Sequence, residues 1–149
     1  MNNLADNKKA FFDYEILEKL EAGIVLSGQE TKSVKNGQAS LKGTFVTFHK
    51  NNAFLTNMNI SPYKQAGPLP EYEPTKSRRL LLHKREIDYL REKSQEQGLT
   101  IVPLRVYTKN RFIKVEIAVA RGKKQYDKRE TIKNRDTERE IRRTLKNRA

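Results

Sequence analysis

Apolar and polar side chains alternate along much of the first 120 residues, a period of two that predicts half-buried β-strands. Phe12, Tyr14 and Ile16 share one such face. The run Ile24-Val25-Leu26 follows Gly23 and stops at Ser27-Gly28, which predicts a strand that bends or bulges at glycine. In "TFVTFHKNNAFLTNMNI" two apolar arms flank Lys50-Asn51-Asn52, and asparagine tolerates the left-handed backbone of a tight turn, so this segment predicts a hairpin. "LTIVPLRVYTKNRFIKVEIAVA" predicts a second, with its turn at Lys109-Asn110 and Phe112, Ile113, Val115, Ile117 and Val119 in the return strand. Pro103 has no N–H to give a ladder, which places it at a strand edge or a bulge.

The texture changes between the hairpins. "SPYKQAGPLPEYEPTKSRR" holds four of the five prolines and predicts an extended surface loop. "HKREIDYLREKSQEQG" then predicts a helix, with an apolar stripe of Ile87, Leu90 and Tyr89 and with Gly98 at its C-terminus. Several short strands with one inserted helix predict a mainly β fold, a small closed antiparallel barrel of the oligonucleotide-binding kind with flanking helices; a sandwich is the alternative.

Beyond residue 120 the apolar pattern fades. From Arg121 to Ala149 there are twelve Lys or Arg against five Asp or Glu, so this stretch carries +7 of the chain's formal +13. Its large apolar residues are Tyr126, Ile132, Ile141 and Leu145, too few to offset a backbone ordering cost of about 1–2 kcal/mol per residue. Two parts are expected: a folded domain over residues 1–120, and a basic tail over 121–149 that is disordered when free. The alternative for the tail is a solvated helix lying on the body, with Ile141 and Leu145 as a thin stripe.

The charge balance favours a polyanionic partner, and nucleic acid is the leading class. No apolar run approaches the roughly 20 residues of a membrane-spanning helix, and the start of the chain is unlike a signal peptide, so a cytoplasmic protein without a membrane partner is expected. There is no cysteine, and the two histidines, His49 and His83, stand apart without a motif around them. Thiol chemistry and cysteine-ligated zinc are excluded; no catalytic residue, metal site or cofactor is predicted. "SGQETKSVKNGQ" has glycines at 28 and 37, the wrong spacing for a phosphate cradle. It does place Glu30 and Ser33 among Lys32 and Lys35, where the carboxylate can orient cations or accept from base amino groups or ribose hydroxyls, or else form an ordinary surface ion pair.

The combination of "EAGIVLSGQETKS" with "GKKQYDKR", joined by "PTKSRRLLLHKREIDYL", resembles the SsrA-binding protein (small protein B) family, and the resemblance runs from about Asn7 to the end of the chain. It implies an oligonucleotide-binding barrel that binds the tRNA-like part of transfer-messenger RNA and delivers it to stalled ribosomes. It implies an RNA-binding surface containing Asn7, Lys8, Lys9, Gly28, Glu30, Lys32, Ser33, Lys35, Leu81 and Lys114. It also implies a tail that becomes helical in the decoding site and message channel of the small ribosomal subunit, through Gly122, Lys123, Lys124, Tyr126, Asp127, Lys128 and Arg129. A monomer when free and partnership with transfer-messenger RNA and the small subunit's RNA are the corresponding expectations. The competing function classes are a structural ribosomal or ribosome-assembly protein and, more remotely, a nuclease.

Overall fold

The computed structural model describes residues 2–123. Strand β1 (Asn2–Asp6) leads into helix α1 (Lys8–Asp13), which starts where Asn7 caps it: the Asn7 side-chain oxygen accepts from Ala10 N at 3.3 Å, and its amide donates to the Pro103 carbonyl at 2.9 Å. Phe12 therefore lies in a helix, while Tyr14 and Ile16 open strand β2 (Tyr14–Ile24). The alternation expected across the three breaks because one short polar side chain satisfies a free N–H of the first turn.

Helix α2 (Gly28–Lys35) and strand β3 (Ala39–Ser40) follow, then the first hairpin, β4 (Phe45–His49) and β5 (Asn52–Thr56), with Lys50 at φ +56 in its two-residue turn. Strand β6 (Asn59–Ile60) pairs with β3. The proline-rich loop, with a 3-10 turn at Lys64–Ala66, leads to β7 (Arg78–Leu81) and α3 (Lys84–Gln95). The second hairpin is β8 (Leu99–Lys109) and β9 (Phe112–Gly122), closed by Asn110 and Arg111, both at positive φ as a type I′ turn requires. Gly98 does not cap α3, which ends at Gln95. Instead Leu99 N donates to the Glu96 carbonyl, and Gly98 at φ +81 occupies the turn position that favours glycine.

Seven strands form one sheet in the order β1-β8-β9-β2-β7-β5-β4, antiparallel throughout. The sheet curls until β4 comes within 8 Å of β8, yet no ladder joins the edge strands β1 and β4 among the described residues. The closed barrel expected from the sequence is thus not found; alternation specifies which face of a strand is buried, and leaves open whether the two edges meet.

Besides a register shift between Asn3 and Ala5 in β1, two bulges set the packing. One lies between Ile16 and Glu18 in β2, the other between Pro103 and Arg105 in β8, beside the proline that cannot donate. Each reverses the inward parity of its strand. Leu20, Ala22, Ile101 and Val106 thereby join Leu55, Met58, Ile60, Ile117 and the α3 residues Ile87 and Leu90 in the main core. On the opposite face Tyr14, Ile16, Val102 and Leu104 join Ala118 and Ala120 beneath Ala10 and Phe11 of α1. Gly23 carries no bulge, contrary to the sequence reading.

Candidate nucleic-acid interface

Leu81, Gly23 and Lys114 stand side by side across three strands, since Gly23 pairs with Leu81 on β7 and with Lys114 on β9. Paired residues share a face, and Glu21, two residues before Gly23, shares it too. The glycine is a slot between larger neighbours: a Cβ there would come 3.1 Å from Leu81 Cβ. Leu81 is 52% exposed and Phe112 68%, unusual for large apolar side chains held on a sheet. Lys114 Nζ lies 6.0 Å from the centre of the Phe112 ring, and Arg79 and Arg111 line the same pair of adjoining concavities.

Glu21 is fixed as an acceptor. The Tyr107 hydroxyl donates to Oε2, and Lys109 Nζ lies 3.4 Å from both carboxylate oxygens. The Tyr107 hydrogen bond, against a smaller opposing effect of burial and with help from Lys109 and Lys114, holds the Glu21 carboxyl below its usual range. Burial and the Glu21 carboxylate push the Tyr107 phenol up. Glu21 is one carboxylate among several in a polar strand and carries no motif of its own; its spacing of two from Gly23 is the signal in the sequence that puts it on this face.

Helix α2 was not foreseen either, although Ser27-x-x-Glu30 announces it. Ser27 Oγ accepts from Glu30 N at 3.2 Å and Glu30 Oε1 accepts from Ser27 N at 3.1 Å, a reciprocal capping box. Ser27→Ala is expected to lower stability by about 1 kcal/mol in a urea titration, the ordinary cost of such a cap.

Below the helix Glu30 is 1% exposed and Arg78 3%. Arg78 Nε donates to Glu30 Oε2 at 2.7 Å, and its other nitrogens donate to the carbonyls of Met58 at 2.6 Å, Pro74 at 2.8 Å and Lys76 at 3.2 Å. The Tyr72 hydroxyl lies 3.2 Å from Glu30 Oε2 and 2.8 Å from the Ile60 carbonyl. Burial disfavours the Glu30 charge, but the Ser27 N–H, the Arg78 hydrogen bond and the charges of Arg78 and Lys76 outweigh it and hold the carboxyl below its usual value. Burial, then the Glu30 charge, raise the Tyr72 phenol. Glu30 is therefore a buried clasp between α2 and the proline-rich loop: it does orient a cation, Arg78, as the sequence allows, but it is neither an exposed acceptor for bases or ribose nor a surface ion pair. Ser33 is buried as well, its hydroxyl donating to the Ser61 carbonyl.

The remaining positions divide between exposed and structural. Gly28, Lys32 and Lys35 are exposed along α2, as are Lys8 and Lys9 on α1. Asn7 is the buried cap already described. By alternation along β9, Lys114 lies on the same sheet face as Ala118 and Ala120, which α1 covers, so Lys8 and Lys9 sit on that face toward its opposite end. Gly122 ends β9 opposite Tyr14, and Lys123 N donates to the Asp13 carbonyl at 2.8 Å. Lys124, Tyr126, Asp127, Lys128 and Arg129, with the remainder of the basic stretch expected to be disordered, lie outside the described residues.

A family model described as SmpB protein matches residues 4–147. The SsrA-binding protein of Leuconostoc mesenteroides is 55% identical over 146 residues, covering 98% of this chain and 94% of that protein. The chain belongs to the SsrA-binding protein (SmpB) family. The SsrA-binding protein of Trichodesmium erythraeum is 50% identical over 143 residues, covering 96% of this chain and 92% of its own. A solved structure described as "tmRNA-SmpB: a journey to the center of the bacterial ribosome" is 43% identical, with TM-score 0.68, and the alignment covers 80% of this chain and 84% of that one.

Within the SmpB family signature of this chain, G-x-E-x-K-S combines two tasks on one helix. Glu30 and Ser33 face the interior and tie down the loop, whereas Gly28 and Lys32 face solvent. No helix among the described residues is long and apolar enough to cross a membrane, and they contain no cluster of three or more His, Asp or Glu able to hold a metal ion.

Proposed function

We propose that this SmpB-family chain is an RNA-binding adaptor of ribosome rescue, which binds the tRNA-like domain of transfer-messenger RNA and brings it to stalled ribosomes in the cytoplasm without covalent chemistry. The observation that carries this reading is the in-register row Leu81, Gly23, Lys114 with Glu21 beside it: an exposed apolar side chain, a cation and an ionised acceptor on a stiff sheet, in a chain of net charge +13. Lys114, Arg79 and Arg111 meet phosphates, Leu81 and Phe112 offer apolar contact to an exposed base or ribose, and Glu21 accepts from a base amino group or a 2′-hydroxyl. Lys8, Lys9, Lys32 and Lys35 extend the cationic surface, and Asn7, Glu30 and Ser33 act on it by positioning the elements that bear it. The curled, open sheet serves as the oligonucleotide-binding surface. The tail substitutes for codon–anticodon pairing in the small subunit's decoding site and message channel. Its similarity to SsrA-binding proteins and to a solved tmRNA-SmpB structure supports this reading over a permanent ribosomal component.

The test is a gel-shift titration with the isolated tRNA-like RNA domain. Leu81→Asp combined with Lys114→Ala is expected to weaken binding by roughly 100-fold, as loss of one apolar base contact and one cation at about 1–3 kcal/mol each implies. Lys114→Ala alone should flatten the dependence of log affinity on log salt by about one ion released. Unchanged affinity in the double variant would remove the row from the interface.

A further inference from the structure

Helix α2 has a second side. Thr31 lines a concavity of the Leu81–Lys114 face, whereas Ser33 and Asn36, turned away from it by the 3.6-residue period, line a separate cleft of about 510 Å³ whose other wall is the Ser61–Gln65 segment. This volume lies within the roughly 300–1,000 Å³ of small-ligand sites.

The two walls are tied together without using the side-chain amides that line the cleft. Ser33 Oγ donates to the Ser61 carbonyl, Ser61 N donates to the Gln38 carbonyl at 3.0 Å, and Tyr63 N donates to Gln29 Oε1 at 3.0 Å. Where α2 ends, Gly37 at φ +76 donates to the Val34 carbonyl and Gln38 N to the Ser33 carbonyl, a Schellman arrangement that fixes the backbone of Asn36 and Gln38. The side-chain amides of Asn36, Gln38 and Gln65, which line the cleft, have no hydrogen-bond partner among the described residues. Tyr63 supplies an aromatic ring with Lys32 Nζ 5.6 Å from its centre. Lys32, Lys35 and Lys64 make no ion pair among the described residues, and no carboxylate lines the cleft.

We propose that this cleft is a nucleotide site that takes one unpaired base of single-stranded RNA, distinct from the Leu81–Lys114 face. The base stacks on Tyr63, its edge is read by the free amides of Asn36, Gln38 and Gln65, each offering both donor and acceptor, and Lys32, Lys35 and Lys64 hold the flanking phosphates. A cleft already braced by its own hydrogen bonds binds without a large ordering cost. The inference rests on the RNA-binding reading above and assigns to α2 the part of a ridge between two RNA sites.

The full chain is titrated with the tetranucleotides rA4 and rU4, and with a four-residue abasic ribose phosphate, while backbone amide shifts are followed by NMR. The base-bearing oligonucleotides should shift Asn36, Gln38 and Ser61–Gln65, and the abasic one should bind at least tenfold more weakly. Tyr63→Phe should retain affinity, and Tyr63→Leu, which keeps an apolar side chain without an aromatic face, should lose about tenfold; Gln38→Ala should weaken binding several-fold and compress the difference between rA4 and rU4. Equal binding of the abasic compound, or shifts confined to the Leu81–Lys114 face, overturns the nucleotide site while leaving the main RNA-binding reading in place. Failure of the tRNA-like RNA to bind at all overturns that reading instead.

Discussion

Arg78→Ala is expected to lower the stability of this protein by about 3–5 kcal/mol, the range for removing one partner of a buried ion pair. The change strands the Glu30 carboxylate, 1% exposed, and removes the Arg78 donor from the Met58 and Pro74 carbonyls, which it reaches at 2.6 and 2.8 Å. Arg78→Lys should recover only part of the loss, because one ammonium on a flexible stem does not reproduce a planar fork that serves Glu30 and several carbonyls at once. The measurement is the urea midpoint of each variant at neutral pH. A midpoint unchanged in Arg78→Ala would mean that the clasp contributes nothing. The pH dependence has a definite sign. The Glu30 carboxyl is held below its ordinary value of 4.5, so its stabilisation is complete above that value and disappears as pH falls through the lower folded-state value. Glu30→Gln should therefore show a shallower loss of stability on acidification below about pH 4.5 than the parent, with the difference vanishing at the acid end.

Replacing Asp127, Lys128 and Arg129 together with alanine is expected to reduce peptide tagging on stalled ribosomes to background while leaving affinity for the tRNA-like RNA domain within about twofold. Two considerations separate the effects. The triple change removes one negative and two positive charges, so the formal charge falls only from +13 to +12 and the long-range attraction to RNA is nearly preserved. The row proposed to bind RNA lies on β2, β7 and β9, apart in sequence from the three replaced residues. Tyr126→Phe should keep tagging and Tyr126→Ala should lose it if stacking on a base is the contact that matters. Full tagging by the triple variant would return the basic run to a solvated appendage, and loss of RNA-domain binding would merge the two functions into one surface.

Much of the architecture was legible because its signals are local. The break between two alternating apolar arms marks the β8–β9 turn, which falls at Asn110-Arg111, one residue later than the expected Lys109-Asn110; Ile87 and Leu90 mark the buried stripe of α3, and the proline-rich stretch reads as loop. Helix α2 escaped because Val34 is its one buried apolar residue, leaving no stripe to detect; the capping pair Ser27 and Glu30 was the readable sign. The burial of Glu30 was out of reach, since its partner Arg78 is 48 residues away and an isolated glutamate in a lysine-rich segment looks solvated. Leu81 and Lys114 were named from family resemblance, whereas the strand register that aligns them with Gly23, and brings Glu21 beside them, is a long-range property that no single segment encodes.

Leu17 illustrates a different kind of information. It is 44% exposed and joins neither apolar cluster, yet it is the surplus residue of the β2 bulge, after which the strand points the other way: Tyr14 and Ile16 serve one layer, Leu20 and Ala22 the other. What matters at this position is occupancy, with identity nearly free. A chain shortened here by one residue would put Glu21 and Gly23 out of phase with Lys114 while leaving α1 and the end of β9 at Gly122 where they were. The spacing between the row proposed to bind RNA and the end of β9 at Gly122 is thus metered by a count of residues along β2, so that length matters here more than identity.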